Sequence, residues 1–445
     1  MSVKPAVKKH INIIWLLLYG AALIAVGVIV LVNGNLVAEP AARIGGIFIA
    51  ANGIHRLIRA HARKKKLPVF SGIGNILIGT VTVLVPAVTL SLLSLIFSLY
   101  VFLNALVKFI DFASAVKNGV PDAFFDLFAG IFFTVFGVIM LFGTLMGGHG
   151  MLIVIGIYCI LYGVGELRLF LREAMPNRAK GVIRRRIRFS LPQFITTFIP
   201  LKTLKSYCER IDSREIDIES LLSEESIDKC GAVPDVHILI HVSNDGVGTV
   251  GHCDLMIDNT VISYGNYDKA SERLLGGIGD GVLFKAAFER YVRFGVHHDN
   301  QMIFDFGIKL TEKQLEKVKK CINKIEQDLY PWEPPFQLAY EKNPDEDISR
   351  YDDYCSKLWN GTHADFYKFT GGRFKTYFVM STNCVLLADY ILSKAGTDIV
   401  KTAGIITPGA YYDYMQNEYA LPSGIVVTRD IYCKYNVEPP DNVDF

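Results

Sequence analysis

Six long apolar runs crowd the first 172 residues, and nothing else in the chain restricts the fold so strongly. They cover roughly residues 12–32, 42–58, 70–88, 90–110, 124–145 and 150–170. As helices rising about 1.5 Å per residue, each crosses or nearly crosses the hydrocarbon layer of a bilayer. The first run is too long for a cleaved signal peptide, lacks a small-residue cleavage site and leads straight into further spans. The remainder has ordinary soluble composition, so the averages over 445 residues, 51% hydrophobic and 20% charged, describe neither part. The expected organisation is multi-domain. An all-α six-helix transmembrane bundle occupies 1–175, a basic interfacial segment and linker 176–234, and a soluble domain with its own core 235–445.

The apolar runs repeat. Gly20 and Gly27 are seven apart, as are Gly72 and Gly79, and Gly130 and Gly137. In the helix after each pair, Asn52 precedes Arg56, Asn104 precedes Lys108, and Tyr162 precedes Glu166, always by four. Gly20 to Gly72 and Asn52 to Asn104 both span 52 residues, while Gly72 to Gly130 and Asn104 to Tyr162 both span 58. Two independent markers with shared offsets define a helical hairpin present three times. Glycines seven apart share a helix face and let a neighbouring helix approach closely. The polar markers read as packing or interfacial groups. The competing reading, a transport or sensing path, lacks a mid-span acid suited to a proton relay. Three Gly-rich hairpins of this kind resemble the HdeD-like family of bacterial inner-membrane proteins, which implies an association with acid resistance but little about chemistry.

Charge gives the orientation. Lys4, Lys8 and Lys9 precede the first run; Arg56, Arg59, Arg63 and Lys64 to Lys66 follow the second; Lys108 and Lys117 follow the fourth. A cluster from Arg168 to Arg188 follows the sixth, whereas the alternate loops near 33–40, 86–90 and 145–150 hold no Lys or Arg. By the positive-inside rule both termini, and the soluble domain, face the cytoplasm of an inner membrane. Residues 176–205 mix arginines with Ile, Phe and Leu and can lie along an anionic leaflet. An acidic stretch over 210–229 then leads into the soluble domain.

That domain reads as α+β with an antiparallel sheet. Asp235–Asn244 alternates as a strand. Thr249–Ile257 and Thr260–Tyr264 form a hairpin about a tight Asp258-Asn259 turn, with Gly251-His252-Cys253-Asp254 on its first arm. The glycine-rich stretch 276–281 fits no phosphate-binding pattern and reads as a mobile loop. Thr311-Glu-Lys-Gln opens an amphipathic helix over 311–328 with a capping box, and Trp332-Glu-Pro-Pro335 breaks the chain. Thr407-Pro408 opens a short Tyr-rich helix, and Ser423–Tyr432 reads as a late strand.

One stretch of this domain has the makings of a reactive site. Tyr377-Phe378-Val379-Met380 reads as a short β run, Ser381-Thr382-Asn383 as a polar turn, and Cys384 as the first turn of an apolar helix stopping at Gly396. Thr382 or Asn383 can cap such a helix. A cysteine at that end meets unpaired N–H groups and the positive pole of the helix dipole, which favour the thiolate. The plainer alternative is a cysteine acting as a small core residue. The eight cysteines show no CxxC pair or regular spacing, so reduced thiols are expected, with neither a disulfide framework nor a metal site.

A thiol nucleophile needs an imidazole to take its proton, and His252 on the hairpin is the best placed of ten histidines. His237 and His241 share a face of the first strand, about 13 Å apart, too far to chelate one metal. They read as solvent-facing or hydrogen-bonded within the sheet. Gly251-His252-x-Asp-Leu-Met-Ile, Val261-Ile-Ser-Tyr-Gly265 and Thr382-Asn383-Cys384, in that order, resemble the circularly permuted NlpC-like branch of the papain-like cysteine hydrolases. That branch includes lecithin retinol acyltransferase-like enzymes and PPPDE deconjugating peptidases.

The resemblance covers about residues 235–400 and implies a papain-like fold, with Cys384 as nucleophile and His252 as base. It gives Asn383 a place as helix cap or beside an oxyanion site. For the orienting residue Ser263, Tyr264 and Asn266 compete; a two-residue turn sets Ser263 opposite Asp254 and Gly265 opposite His252, leaving no clear partner. Cys253 should point to the other strand face. The function so implied is a membrane-tethered cysteine hydrolase or acyltransferase acting on an amide, ester or isopeptide bond through a Cys-His dyad. Its partners would be the lipid bilayer and a peptide or lipid acyl substrate, with no cofactor, metal or nucleic acid. The alternative is a stress-related membrane protein whose soluble domain only binds.

Overall fold

A computed structural model describes residues 5–63, 67–145, 149–174, 232–243, 251–395, 408–420 and 424–439. The basic segment at 176–205, the acidic stretch at 210–229 and Gly396 lie outside these. The chain divides into two compact units, one helical and one centred on a sheet.

The helical unit comprises α1 (Pro5–Asn33), α2 (Asn35–Arg63), α3 (Leu67–Leu84), α4 (Pro86–Lys117), α5 (Ala123–Leu145) and α6 (His149–Ala174). Among the described residues, three stretches are long and apolar enough to cross a membrane: Ile14–Asn33, Pro86–Lys117 and Ala123–Phe142. Val69–Leu84 is apolar but shorter, and α2 carries charges and an internal Pro40. Trp15, Phe48, Phe70 and Phe125 stand largely exposed, an apolar surface that suits lipid.

The repeated glycines sit at the helix contacts. A Cβ on Gly27 would come within 2.7 Å of the Gly156 carbonyl oxygen, and one on Gly53 within 2.7 Å of the Gly72 carbonyl oxygen. So α1 packs backbone-to-backbone on α6, and α2 on α3. On α5 the same marker behaves differently, because Gly130 and Gly137 receive the rings of Phe109 and Phe102 from α4. The glycines therefore join one hairpin to another rather than the two arms of one hairpin.

The second unit is built on an eight-stranded antiparallel sheet. Its strands are β1 (Val236–Ser243), β2 (His252–Ile257), β3 (Thr260–Gly265), β5 (Val282–Ala287), β6 (Gln301–Ile308), β7 (Leu329–Pro331), β8 (Asp365–Phe369) and β10 (Val426–Tyr432). They run in the order β10-β6-β1-β2-β3-β5-β8-β7. Strand alternation divides the core. Val236, Ile238, Ile240 and Val242 of β1 join Cys253 and Leu255 of β2 on one face. That face is covered by α8 (Glu312–Gln327), α11 (Cys384–Ser393) and α12 (Pro408–Ala420). Leu239, Met256 and Val261 face the other side, beneath α7 (Phe288–His297) and α10 (Tyr354–Thr362). A short α9 (Pro335–Tyr340) sets the rings of Phe336 and Tyr340 at a steep angle against Trp359 of α10.

Local chemistry explains several boundaries. Asp258 and Asn259 both take positive φ, 47° and 60°, and Ile257 pairs with Thr260, which is the left-handed two-residue turn that matches strand twist. Thr311 and Gln314 form the capping box of α8, and Val318, Cys321, Ile322 and Ile325 line its buried side at helical spacing. The stretch expected as a mobile glycine loop is ordered by pairing: β4 (Ile278–Asp280) lies against β9 (Thr376–Phe378) as a two-stranded ribbon. Gly279 and Gly281 are required there, since a Cβ on either would fall within 2.0 Å of Asn266 Oδ1 or the Phe374 carbonyl oxygen.

Candidate active site

Cys384 is the first residue of α11, and its neighbour fixes it there. The Asn383 side-chain oxygen accepts the Leu386 N–H at 3.1 Å, while Asn383 Nδ2 donates to the Val379 carbonyl at 3.2 Å. Asn383 is thus the helix cap, and both ends of its amide are engaged in holding the turn. The helix ends at Ser393 with Lys394 as C-cap, ahead of the Gly396 stop expected from the sequence.

α11 packs on β2 and β3, and the charge of Cys384 at its start is felt at the His252 imidazole. His252 Nε2 lies 2.9 Å from Ser263 Oγ and 3.0 Å from Tyr267 Oη, and those two hydroxyls are 2.9 Å from each other. The direct cross-strand register gave His252 no partner, but the ring reaches diagonally, as long side chains on paired strands can. Of the three residues competing to orient it, only Ser263 touches it. Tyr264 points to the other face and donates to the Phe374 carbonyl at 3.0 Å; Asn266 donates to the Gly276 carbonyl at 2.9 Å.

The sequence reading missed Tyr267 and, on β2 itself, Asp254. Two positions beyond His252 on β2, it shares the imidazole's face and is 1% exposed. Its Oδ1 lies 2.8 Å from His252 Nε2, and its Oδ2 lies 2.8 Å from His241 Nε2. Tyr291 Oη donates to Oδ2 at 2.6 Å, and His241 Nδ1 lies 2.8 Å from Gln301 Oε1. The two imidazole contacts are ion-pair contacts lying off the hydrogen-bond axis: Asp254 Oδ1 and His241 Nε2 have no aligned partner. Asp254 therefore acts on His252 mainly through charge, and the two hydroxyls supply the directional bonds. His241, expected as solvent-facing or bonded within the sheet, is a buried member of this cluster.

Electrostatics follow from the geometry. Burial, the largest influence on His252, disfavours the imidazolium, yet the Asp254 and then the Cys384 charges outweigh it and hold the group well above the usual imidazole range. Burial would raise Asp254, but the charges of His252 and His241 keep it well below the ordinary carboxylate range. Burial pushes the Tyr267 and Tyr291 hydroxyls up, so both remain phenols. Cys253, next to His252 in sequence, faces the opposite core, and burial pushes its thiol up as well.

Residues 70–142 match a family model described as a short repeat of unknown function (DUF308). The match runs from α3 through most of α5 and includes two of the three glycine pairs. No curated protein and no solved structure matches the chain. The match and the three membrane-capable helices fit a membrane region in the N-terminal part.

Proposed function

We propose that this protein is a membrane-tethered cysteine hydrolase or acyltransferase, with six membrane spans and its soluble domain on the cytoplasmic side. What supports this reading is a capped helix-start thiol, an imidazole that feels its charge, and a buried carboxylate against that imidazole. The order of the pieces, histidine on a hairpin and then cysteine at a downstream helix start, is that of the permuted NlpC-like branch.

With His252 Nε2 committed to Ser263, Tyr267 and Asp254, Nδ1 is the nitrogen that exchanges a proton with Cys384. The thiolate attacks an acyl carbonyl and forms a tetrahedral oxyanion. Collapse expels the leaving alcohol or amine, which takes the proton from the imidazolium, and leaves a thioester on Cys384. His252 then takes a proton from water or from an acceptor amine, which attacks the thioester and releases the acyl group. Asp254 stabilises the imidazolium and stays ionised, while Ser263 and Tyr267 hold the ring. The excess of Lys and Arg in alternate loops supports a cytoplasmic site, a compartment where thiols stay reduced. Loops are outweighed as carriers of function here by a rigid sheet and helix start, which suits a site needing fixed geometry.

The test is exposure of the full-length protein in micelles to a small thiol electrophile, with the modified positions identified by mass spectrometry. Cys384 should be modified first of the eight cysteines. Equal rates at all accessible thiols would sink the enzyme reading. That result would favour the second one, to which the match over 70–142 lends weight: a stress-related membrane module carrying a soluble binding domain.

A further inference from the structure

Between Ser271 and strand β4 the chain makes a tight loop, Leu274-Leu275-Gly276-Gly277, closed by mutual Arg273–Ile278 backbone bonds of 2.7 and 3.1 Å. Leu274 and Leu275 are 70% and 109% exposed. Both hold positive φ, 49° and 56°, a region that bulky L-residues enter at a cost. Two leucines are thus displayed, side chains outward, on backbone that glycine would adopt more easily. The Gly277 carbonyl accepts the Val379 N–H at 3.0 Å, and Val379 is itself 39% exposed. Through β4 and β9 this apolar tip is fastened to the segment that ends in Asn383 and Cys384.

We infer that the Leu274–Leu275 tip, with Val379 beside it, is a wedge that inserts into the interfacial region of a lipid bilayer. Three features select lipid over a protein partner. The tip is a protrusion of two side chains, too small for a protein interface, which takes roughly 800 Å² from each partner. Its side chains are aliphatic with no hydrogen-bonding group, which suits acyl chains. Exposed Arg273 stands at its base, and exposed Arg373 and Lys375 lie in the turn that leads into β9. Against these the ribbon sets Glu272 and Asp280, and Asp280 shares the Lys368 ammonium with Asp268, at 2.9 and 2.6 Å. That is the charge an anionic leaflet attracts. A bilayer is also constantly at hand, because the same chain carries membrane-capable helices.

Insertion needs no thiol chemistry. Only its consequence, presentation of a lipid acyl carbonyl to Cys384, rests on the proposed function. The experiment uses the full-length protein in nanodiscs of phosphatidylcholine and phosphatidylglycerol, prepared with ordinary or with brominated acyl chains. Leu275→Trp adds one indole to Trp15, Trp332 and Trp359, whose emission is subtracted with the parent protein. The added indole should lose most of its emission in the brominated discs, and Leu274→Trp should behave alike, which guards against one poorly folded variant. Equal emission in both discs overturns the inference. A blue-shifted but unquenched indole overturns it too, since a protein surface would then cover the tip. In a Cys384→Ser background the quenching should be unchanged. An unreactive Cys384 with a quenched indole fails only the proposed function; a reactive Cys384 with an unquenched indole fails only the wedge.

Discussion

Two histidine–carboxylate pairs sit on the two flanks of β1, on the same face of the same sheet, their carboxylates both opposite Leu239. On one flank His237 Nδ1 lies 2.8 Å from Asp305 Oδ1, and Asp305 is directly opposite Asp430 on β10. Burial and then the Asp305 charge raise Asp430 above the ordinary carboxylate range, so that flank gathers carboxylates round one imidazole. On the other flank Asp254 gathers two imidazoles and a phenol round one carboxylate. The difference lies in what else is present. Among the described residues, only the second pair has an imidazole that feels the charge of a thiol at a helix start. A buried His–Asp contact is a common way to satisfy polar groups in a sheet; the nucleophile beside it makes one of these pairs a candidate for chemistry.

The largest effect separating the two flanks should come from the imidazoles. His252→Ala is expected to slow alkylation of Cys384 at neutral pH by about 100-fold or more, the usual scale for losing a positioned base. His237→Ala should leave that rate unchanged. Comparable losses in both variants would mean that the whole sheet, rather than one pair, controls the thiol.

The carboxylates come next. Asp254→Asn removes the charge that supports the imidazolium and should cost about tenfold in the same rate, one pKa unit being about 1.4 kcal/mol. Asp305→Asn should not change it. If Asp254→Asn folds, labels normally and differs only in thermal stability, Asp254 is a structural group and the asymmetry between the flanks disappears.

The smallest effect is on stability and has a definite sign. Because the folded protein binds the His252 proton more tightly than the unfolded chain, that stabilisation is complete below about pH 6.5 and is lost as pH rises through the raised folded value. The difference in melting temperature between the parent and His252→Gln should therefore shrink on going from about pH 6 to about pH 9. Asp254 has the opposite sign, its contribution being lost as pH falls through its depressed value. A His252→Gln difference that grows with pH would contradict the charged pair.

Legibility followed the range of the interactions. The Asp258-Asn259 turn, the Thr311 capping box and the Asn383 cap are set within a few residues, and each could be read from its own neighbourhood. The repeat of glycines was legible as a period, but the partners of each glycine were not. Gly20 meets Gly163 because α1 closes against α6, which no local pattern reports. Asp254 was hidden differently. It is not across the hairpin from His252 but two along the same strand, where alternation points it the same way. The 276–281 stretch looked like a loop because glycine disfavours strands, whereas Gly279 and Gly281 are there to admit Asn266 and the Phe374 carbonyl.

The coupling of Cys384 to His252 is tested most directly by following the titration of the His252 imidazole by NMR in the full-length protein, with and without the thiol. In the parent protein His252 should titrate well above its ordinary value. In Cys384→Ala it should titrate lower while remaining held up by Asp254. A His252 titration that does not change when the Cys384 thiol is removed would contradict the pairing on which the proposed chemistry stands.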